Sequence, residues 1–522
     1  MRSASSNGRR RLKQVYRSLS TRATGWLCQL PGIERFSRTG LTVKSMTGAP
    51  IRSSGGPMPA SSRIMTLPRW TALAVLAIAV ILLLAPTPEG WEPKVLRGAA
   101  LILFAMGFFA TGVIPEFVTG LAFFAVASLI AVAPADVIFA GWSSTALWLT
   151  FGGLIVGIAV TRTGLGGRLA ARLTGLFGET YKAQVAAMIL VGVALSFVMP
   201  STMGRVILLV PIALALADRL GFAEGRNGRY GLVMAVACGT WMPAVAILPA
   251  NVPNMVLAGT AETLYGLHFT YGAYLLLHFP IIGVFKAIAI YFAVLMLFPD
   301  RADASVAQTT PATPMTRDEK VLSYVLVITL ALWALDFWHG ISPAWVALSA
   351  GVVCLLPGID LVSKDDFMTR FNTASVIYIA AVLSVAAIIV DSGVGRELAA
   401  RILPLLPLDP ATPATNFATL IGLGSVTGIL ATAPSVPAVL PPFAQDLAAA
   451  TGFPLVTVLM TFVLGYSTMF LPYQVPPLVV AIQLGGVSLR QAGRFTLLLA
   501  ALTILFLLPL SFLWWRFLGY LP

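Results

Sequence analysis

Pro200, Ser201, Thr202, Met203, Gly204 and Arg205 form a small polar island inside the apolar stretch 183–220. The chemistry this island offers is the binding of an anion. Ser201 and Thr202 are good helix N-caps, and Gly204 lets a ligand approach the backbone. A helix that begins here aims its free N–H groups and positive dipole end at the break. Arg205 adds a planar fork of donors, and a guanidinium in so apolar a setting is costly unless it faces a cavity or a partner. Two plainer readings remain open: a proline-kinked span with an arginine at a loop, and an arginine that snorkels to the interface.

The island must be positioned by its flanks, apolar runs of about seventeen and fourteen residues. Each is short for a membrane crossing, which takes about twenty residues. The expectation is therefore a helix, a break, and a helix returning to the same side. Spans are expected around 70–86, 97–114, 117–134 and 145–163, followed by a basic stripe at 164–177 that suits a helix in the interface, and then by the hairpin 183–220. Next come 229–262, interrupted at 249–254, and 270–298. A polar linker, 299–320, precedes spans at 321–338, 341–357 and 374–391, a second hairpin at 413–449, a broken span 453–482 and a last span 493–515. Thr163-Gly164 and Ser392-Gly393 lie 229 positions apart, as do the similar segments 168–173 and 397–402, so the two halves read as a repeat.

With 522 residues, 58% hydrophobic and 11% charged, the chain is expected to be an all-α polytopic membrane protein of about eleven transmembrane helices, with two re-entrant hairpins in an inverted repeat. Its formal charge of +13 is a property of the tail. Residues 1–69 hold thirteen Lys and Arg against Glu34 alone, a net of +12 that leaves +1 for the rest. Nucleic acid is thus not an expected partner; membrane lipid is. The tail reads as disordered and cytoplasmic or as an over-long start, with Met46, Met58 or Met65 as other initiators, and a transit peptide as the alternative. The halves then run over 70–298 and 321–522.

No catalytic constellation appears. Cys28, Cys238 and Cys354 are far apart, His268, His278 and His339 lack ligand spacing, and no nucleophile elbow or phosphate loop stands in a suitable context. Lys286 lies mid-span and reads as lining a water path, or as snorkelling or packing; Asp336 and Asp391 read as interfacial. Loop charges lead to the expectation of an N-terminus inside and a C-terminus outside, and a bacterial inner membrane is the expected location.

The sequence resembles the divalent anion/sodium symporters, carriers of sulfate, dicarboxylates or citrate. The resemblance covers about residues 70–520 and rests on degenerate motifs. Val210-Pro211-Ile212 sets the first hairpin tip at Ser201-Thr202-Met203, and Leu440-Pro441 sets the second at Ala431-Thr432-Ala433, followed by Pro434-Ser435. Asn251-Val252-Pro253-Asn254 and Val475-Pro476-Pro477-Leu478 match the interrupted spans. The resemblance implies a secondary active transporter of a small di- or trivalent anion, working by alternating access, not an enzyme, and a homodimer. It implies substrate contacts from Ser201, Thr202, Arg205, Asn254, Thr432 and Ser435. Asn251 and Gln474 could hold a sodium ion or simply cap the broken helices. No cofactor is implied beyond Na+ as coupling ion. Asn is missing from both tips, and Arg205 stands where the family has a small or hydroxyl residue, which leaves a sodium-independent exchanger as the alternative; an anion receptor and a membrane-embedded enzyme are rivals of another class.

Overall fold

A computed structural model of the chain describes residues 67–87, 92–178, 180–302, 314–430 and 432–522. Most of the expected tail, the middle of the linker and Ala431 lie outside the described residues. Every regular element among them is helical. Helix α1 (Leu67–Leu84) precedes a first series: α2 (Pro93–Thr111), α3 (Glu116–Leu129), α4 (Thr145–Thr163), α5 (Leu165–Leu176), α6 (Tyr181–Val198), α7 (Thr202–Arg219), α8 (Asn227–Trp241), α9 (Val252–Tyr265) and α10 (Tyr271–Leu297). A second series repeats the order: α11 (Arg317–Ala334), α12 (Pro343–Leu355), α13 (Thr373–Asp391), α14 (Val394–Ile402), α15 (Pro413–Leu430), α16 (Ala433–Thr451), α17 (Leu455–Ser467), α18 (Pro476–Leu484) and α19 (Leu489–Phe517).

Local chemistry sets the boundaries. Ser144, Ser201, Asn251 and Asn372 cap α4, α7, α9 and α13 through side-chain oxygens, each satisfying an N–H that a helix start leaves unpaired. The equivalence of the halves extends to backbone angles. Gly164 and Gly393, 229 positions apart, join α4 to α5 and α13 to α14 with φ of 80° and 78°, a left-handed turn that glycine adopts without strain. α10 and α19 each contain a π-helical stretch, at Phe279–Phe285 and Thr503–Leu507. The return arms differ. α7 stays regular through Pro211, whereas prolines at 434, 437, 441 and 442 divide α16 into short α and 3-10 pieces, and it then bends by 118° into α17.

By length and composition six of the described helices, or seven if the bent pair α16–α17 counts as one, can cross a membrane; Trp70–Leu84, α3 and α12 are apolar but shorter. The expected count of about eleven is not reached by this measure, because the breaks at 199–201, 242–251 and 468–475 cut long apolar stretches into pieces. The outer faces of α1, α10 and α19 nevertheless bare large apolar side chains, Ile81 at 64%, Phe292 at 61% and Phe506 at 63%, which suits contact with lipid.

The halves interlock reciprocally. α4 packs on α12, and α13, the counterpart of α4, packs on α3, the counterpart of α12. Small residues permit both contacts: a Cβ at Gly152 would lie 2.4 Å from the backbone of Ala347, and one at Gly120 would lie 2.9 Å from Cβ of Ala381, the residue 229 positions after Gly152. The first arms follow the same rule. α6 packs on α8 where Gly192 meets Gly239, and α15 packs on α17 where Gly424 meets Gly465.

These contacts predict a sharp contrast between two glycines of α4. Gly152→Val must push α12 away and should cost more than about 2 kcal/mol, whereas Gly157→Ala, with nothing within 4 Å of the added Cβ, should be neutral or stabilising. Thermal unfolding of the two purified variants checks this; equal unfolding temperatures would contradict the packing.

Candidate functional site

The first turns of α3, α7, α9, α13 and α18 converge on one cavity of about 220 Å³. Glu116 reaches it from α3, Ser201, Thr202 and Met203 from the first break, Asn251, Val252 and Pro253 from the second, Asn372 and Ser375 from α13, and Pro476 and Pro477 from α18. Pro434, at the start of α16, completes the ring. Thus both hairpin breaks and both broken spans meet at one place. The starts of α3, α7, α9 and α13 carry partial positive charge and N–H groups without intrahelical partners, which favours an anion, whereas α18 opens on Pro476-Pro477 and adds only its dipole. Among the described residues no lysine or arginine lines the cavity, and Glu116 is the acid of its lining.

Two buried donors point to the same ligand. Asn251 Oδ1 accepts from the Asn254 backbone N–H at 3.1 Å, which leaves its Nδ2 without a partner, and Trp241 Nε1 also lacks one. Both residues line the cavity and are nearly fully buried. An orphaned buried N–H costs about 1–3 kcal/mol unless a ligand or water accepts from it. The free group on Asn251 is therefore a donor. Of the two expectations for Asn251, a sodium ligand or a cap on the broken helix, the structure shows the cap, on which that oxygen is used. Gln474 is likewise spent, its Oε1 accepting from the N–H groups of Phe470 and Leu471 at 2.8 Å each.

Of the expected substrate contacts, Ser201 and Thr202 line the cavity; Arg205, Asn254, Thr432 and Ser435 do not. Thr432 and Ser435 share a hydrogen bond of 3.2 Å at the second break. Asn254 donates to the carbonyls of Val245 and Ile247 at 3.0 and 2.8 Å and accepts from the Tyr466 hydroxyl at 2.8 Å, tying the first broken span to α17.

Arg205 is fully buried, and its fork is not offered to the cavity. It donates to the Met199 carbonyl, to Thr240 O at 2.9 Å, to Ala250 O at 3.1 and 3.2 Å and to Thr202 Oγ1 at 3.0 Å; only Nε lacks a partner. These carbonyls belong to the ends of α6 and α8 and to the segment before α9, where helix breaks leave oxygens unpaired. A guanidinium removed from water must satisfy its donors locally, and here the protein's own broken backbone does so. Lys286 performs a related task in the second half. Its Nζ is buried and donates to Ser467 O, the last residue of α17, at 3.3 Å and to Thr503 Oγ1 at 2.6 Å. This settles Lys286 as a helix-end partner. Asp336, expected at the interface, is also buried, at 3% exposure, and accepts from the Tyr271 backbone N–H.

Apolar helices, two repeated series and breaks that meet at one cavity define the class: a helical integral membrane protein built for transport. Residues 67–521 match the sodium:sulfate symporter transmembrane region, and the chain belongs to that family. It is similar to a membrane protein of Cupriavidus necator, 25% identical over 486 residues covering 86% of this chain and 93% of that one. It is also similar to the inner membrane protein YbhI of Escherichia coli, 24% identical over 56% of this chain and 64% of the relative, and to the putative malate transporter YflS of Bacillus subtilis, 22% identical over 54% and 62%. The YdaH transporter of Alcanivorax borkumensis aligns with a TM-score of 0.48 at 15% identity, over 86% of this chain and 98% of that chain.

The Asn254–Tyr466 bond predicts energetic coupling across the halves. Asn254→Ala should cost about 1–3 kcal/mol, because it leaves the buried Tyr466 hydroxyl without its acceptor while Val245 O and Ile247 O keep their bonds from Tyr274 and the Ala250 N–H, and Tyr466→Phe should cost about 1 kcal/mol. The double variant should be less destabilised than the sum by about 1 kcal/mol in denaturant or thermal unfolding; strict additivity would show that the bond does not form.

Proposed function

We propose that the chain is a secondary active transporter that carries a small di- or trivalent anion, a dicarboxylate, citrate or sulfate, by alternating access, and that the anion sits in the cavity between the breaks. The observation that carries this reading is the convergence of five helix starts with two unpartnered donors, Trp241 Nε1 and Asn251 Nδ2. Family membership supports a transporter, and a relative bears the name of a putative transporter of malate, a dicarboxylate of the proposed class. In this reading α6–α7 and α15–α16 are re-entrant hairpins entering from opposite faces, the reciprocal interlock of the halves being what an inverted repeat produces. The N-terminus lies inside a bacterial inner membrane and the C-terminus outside, on the strength of loop charge, and the resemblance supports a homodimer.

Cation coupling is part of this proposal, and Arg205 favours a second reading beside it. The backbone oxygens at the first break form a set that a bound cation could use, and a tethered guanidinium already fills it. A fixed cation cannot leave with its ligand, so sodium-independent anion exchange becomes the alternative mode.

Uptake of labelled succinate, citrate and sulfate into proteoliposomes, with and without a sodium gradient, tests both. Asn251→Asp keeps the cap oxygen but turns the free donor into a negative acceptor, and should lower uptake by about 100-fold or more; Trp241→Phe should lower it about tenfold. Undiminished uptake of all three anions by both variants would place the site elsewhere.

A further inference from the structure

A second cavity, of about 480 Å³, lies toward the other end of α9. Val252 and Pro253 line the anion cavity, whereas Ala258 and Glu262 line this one, so Glu262 stands about 15 Å along the helix from the break at the helical rise of 1.5 Å per residue. Its polar lining is oxygen-rich: Thr145, Thr270 and Ser342 hydroxyls and the carboxylates of Glu262 and Asp336. His268, two-thirds exposed, stands at its edge with Nδ1 3.8 Å from Glu262 Oε1, and among the described residues no lysine or arginine lines it.

Each carboxylate is half used. Glu262 Oε2 accepts from the Thr145 N–H at 2.9 Å, from Thr145 Oγ1 at 2.7 Å and from Ser144 Oγ at 3.1 Å, so one oxygen caps the start of α4. Asp336 Oδ2 caps the start of α10 through the Tyr271 N–H, while Oδ1 is buried and has no partner. Gly272 lies beside that oxygen, where an added Cβ would come within 3.8 Å of it. Two carboxylates sharing a cavity repel one another unless a cation stands with them, and the basic side chain beside them, His268, lies at the exposed edge next to Glu262 and not at the buried Asp336 Oδ1. Hard monovalent cations take oxygen ligands of this kind.

We propose that this cavity binds a small inorganic cation, sodium or a proton, with Asp336 Oδ1 and Glu262 Oε1 as its charged partners. The site is separate from the oxygen set that Arg205 fills. It lies where α4 and the start of α12 meet α9 and α10, so its occupancy bears on the two caps that fasten those elements. The titratable groups that line it are Glu262 of α9, His268 and Asp336, and Tyr271 of α10 is joined to Asp336 through its backbone N–H.

The test is the unfolding temperature of the purified full chain in nanodiscs, followed by tryptophan fluorescence in NaCl, KCl or choline chloride at one ionic strength and at several pH values. Binding of sodium should raise the wild-type value by about 2 °C or more over choline. Asp336→Asn and Glu262→Gln keep an oxygen for each cap but remove the charge, and should abolish the rise while still folding. A rise on acidification alone, lost in the same variants, assigns the proton as the cation. Responses to sodium and pH that are absent from the wild type, or unchanged in both variants, overturn the proposal. Because the readout is binding, failure here leaves the anion reading standing, and loss of anion uptake leaves this one standing.

Discussion

The structure depends on one constraint: a helix broken inside an apolar stretch leaves backbone oxygens and N–H groups that must find partners where water is scarce. The two ends of each break pose opposite problems. The helix starts gather around the central cavity and leave positive potential for a ligand to meet. The helix ends expose carbonyls, and in this chain covalently attached cations meet them, Arg205 at Met199, Thr240 and Ala250 and Lys286 at Ser467. The site and its support are thus two sides of the same broken backbone.

Close backbone approach makes the breaks stable. Gly192 against Gly239 and Gly424 against Gly465 hold each first arm to its broken span, while Gly152 and Gly120 let the two halves exchange partners. With little hydrophobic drive between helices in lipid, such small-residue contacts and internal hydrogen bonds carry the packing. The Asn254–Tyr466 bond adds a polar tie between the halves beside the cavity.

What the sequence made legible was local. Pro200 with Ser201 marked the first break, Gly164 and Gly393 marked equivalent turns, and the basic stripe at 164–177 marked α5, because caps, turns and amphipathic spacing are written in neighbouring residues. The destinations of side chains were not legible. Arg205 was expected to face an anion, yet Ala250 and Thr240, 45 and 35 residues away, supply the oxygens that turn it inward. Asp336 looked interfacial by position, but the start of α10 folds over it. Asn251 and Gln474 offered oxygens on paper, and the backbone used them. Trp241 and Glu116 carried no motif; a tryptophan at the end of an apolar helix, just before a proline-rich break, was the faint signal for the first.

The account turns on the first break being satisfied by a guanidinium rather than by a metal ion. The modification rate of Ser201→Cys, introduced into a variant lacking Cys28, Cys238 and Cys354, reads the state of that break directly. With Arg205 present the rate should not change when sodium replaces choline; with Arg205→Ala the emptied oxygen set should take the ion, and sodium should slow modification. Protection by sodium that is the same with and without Arg205 would contradict the account.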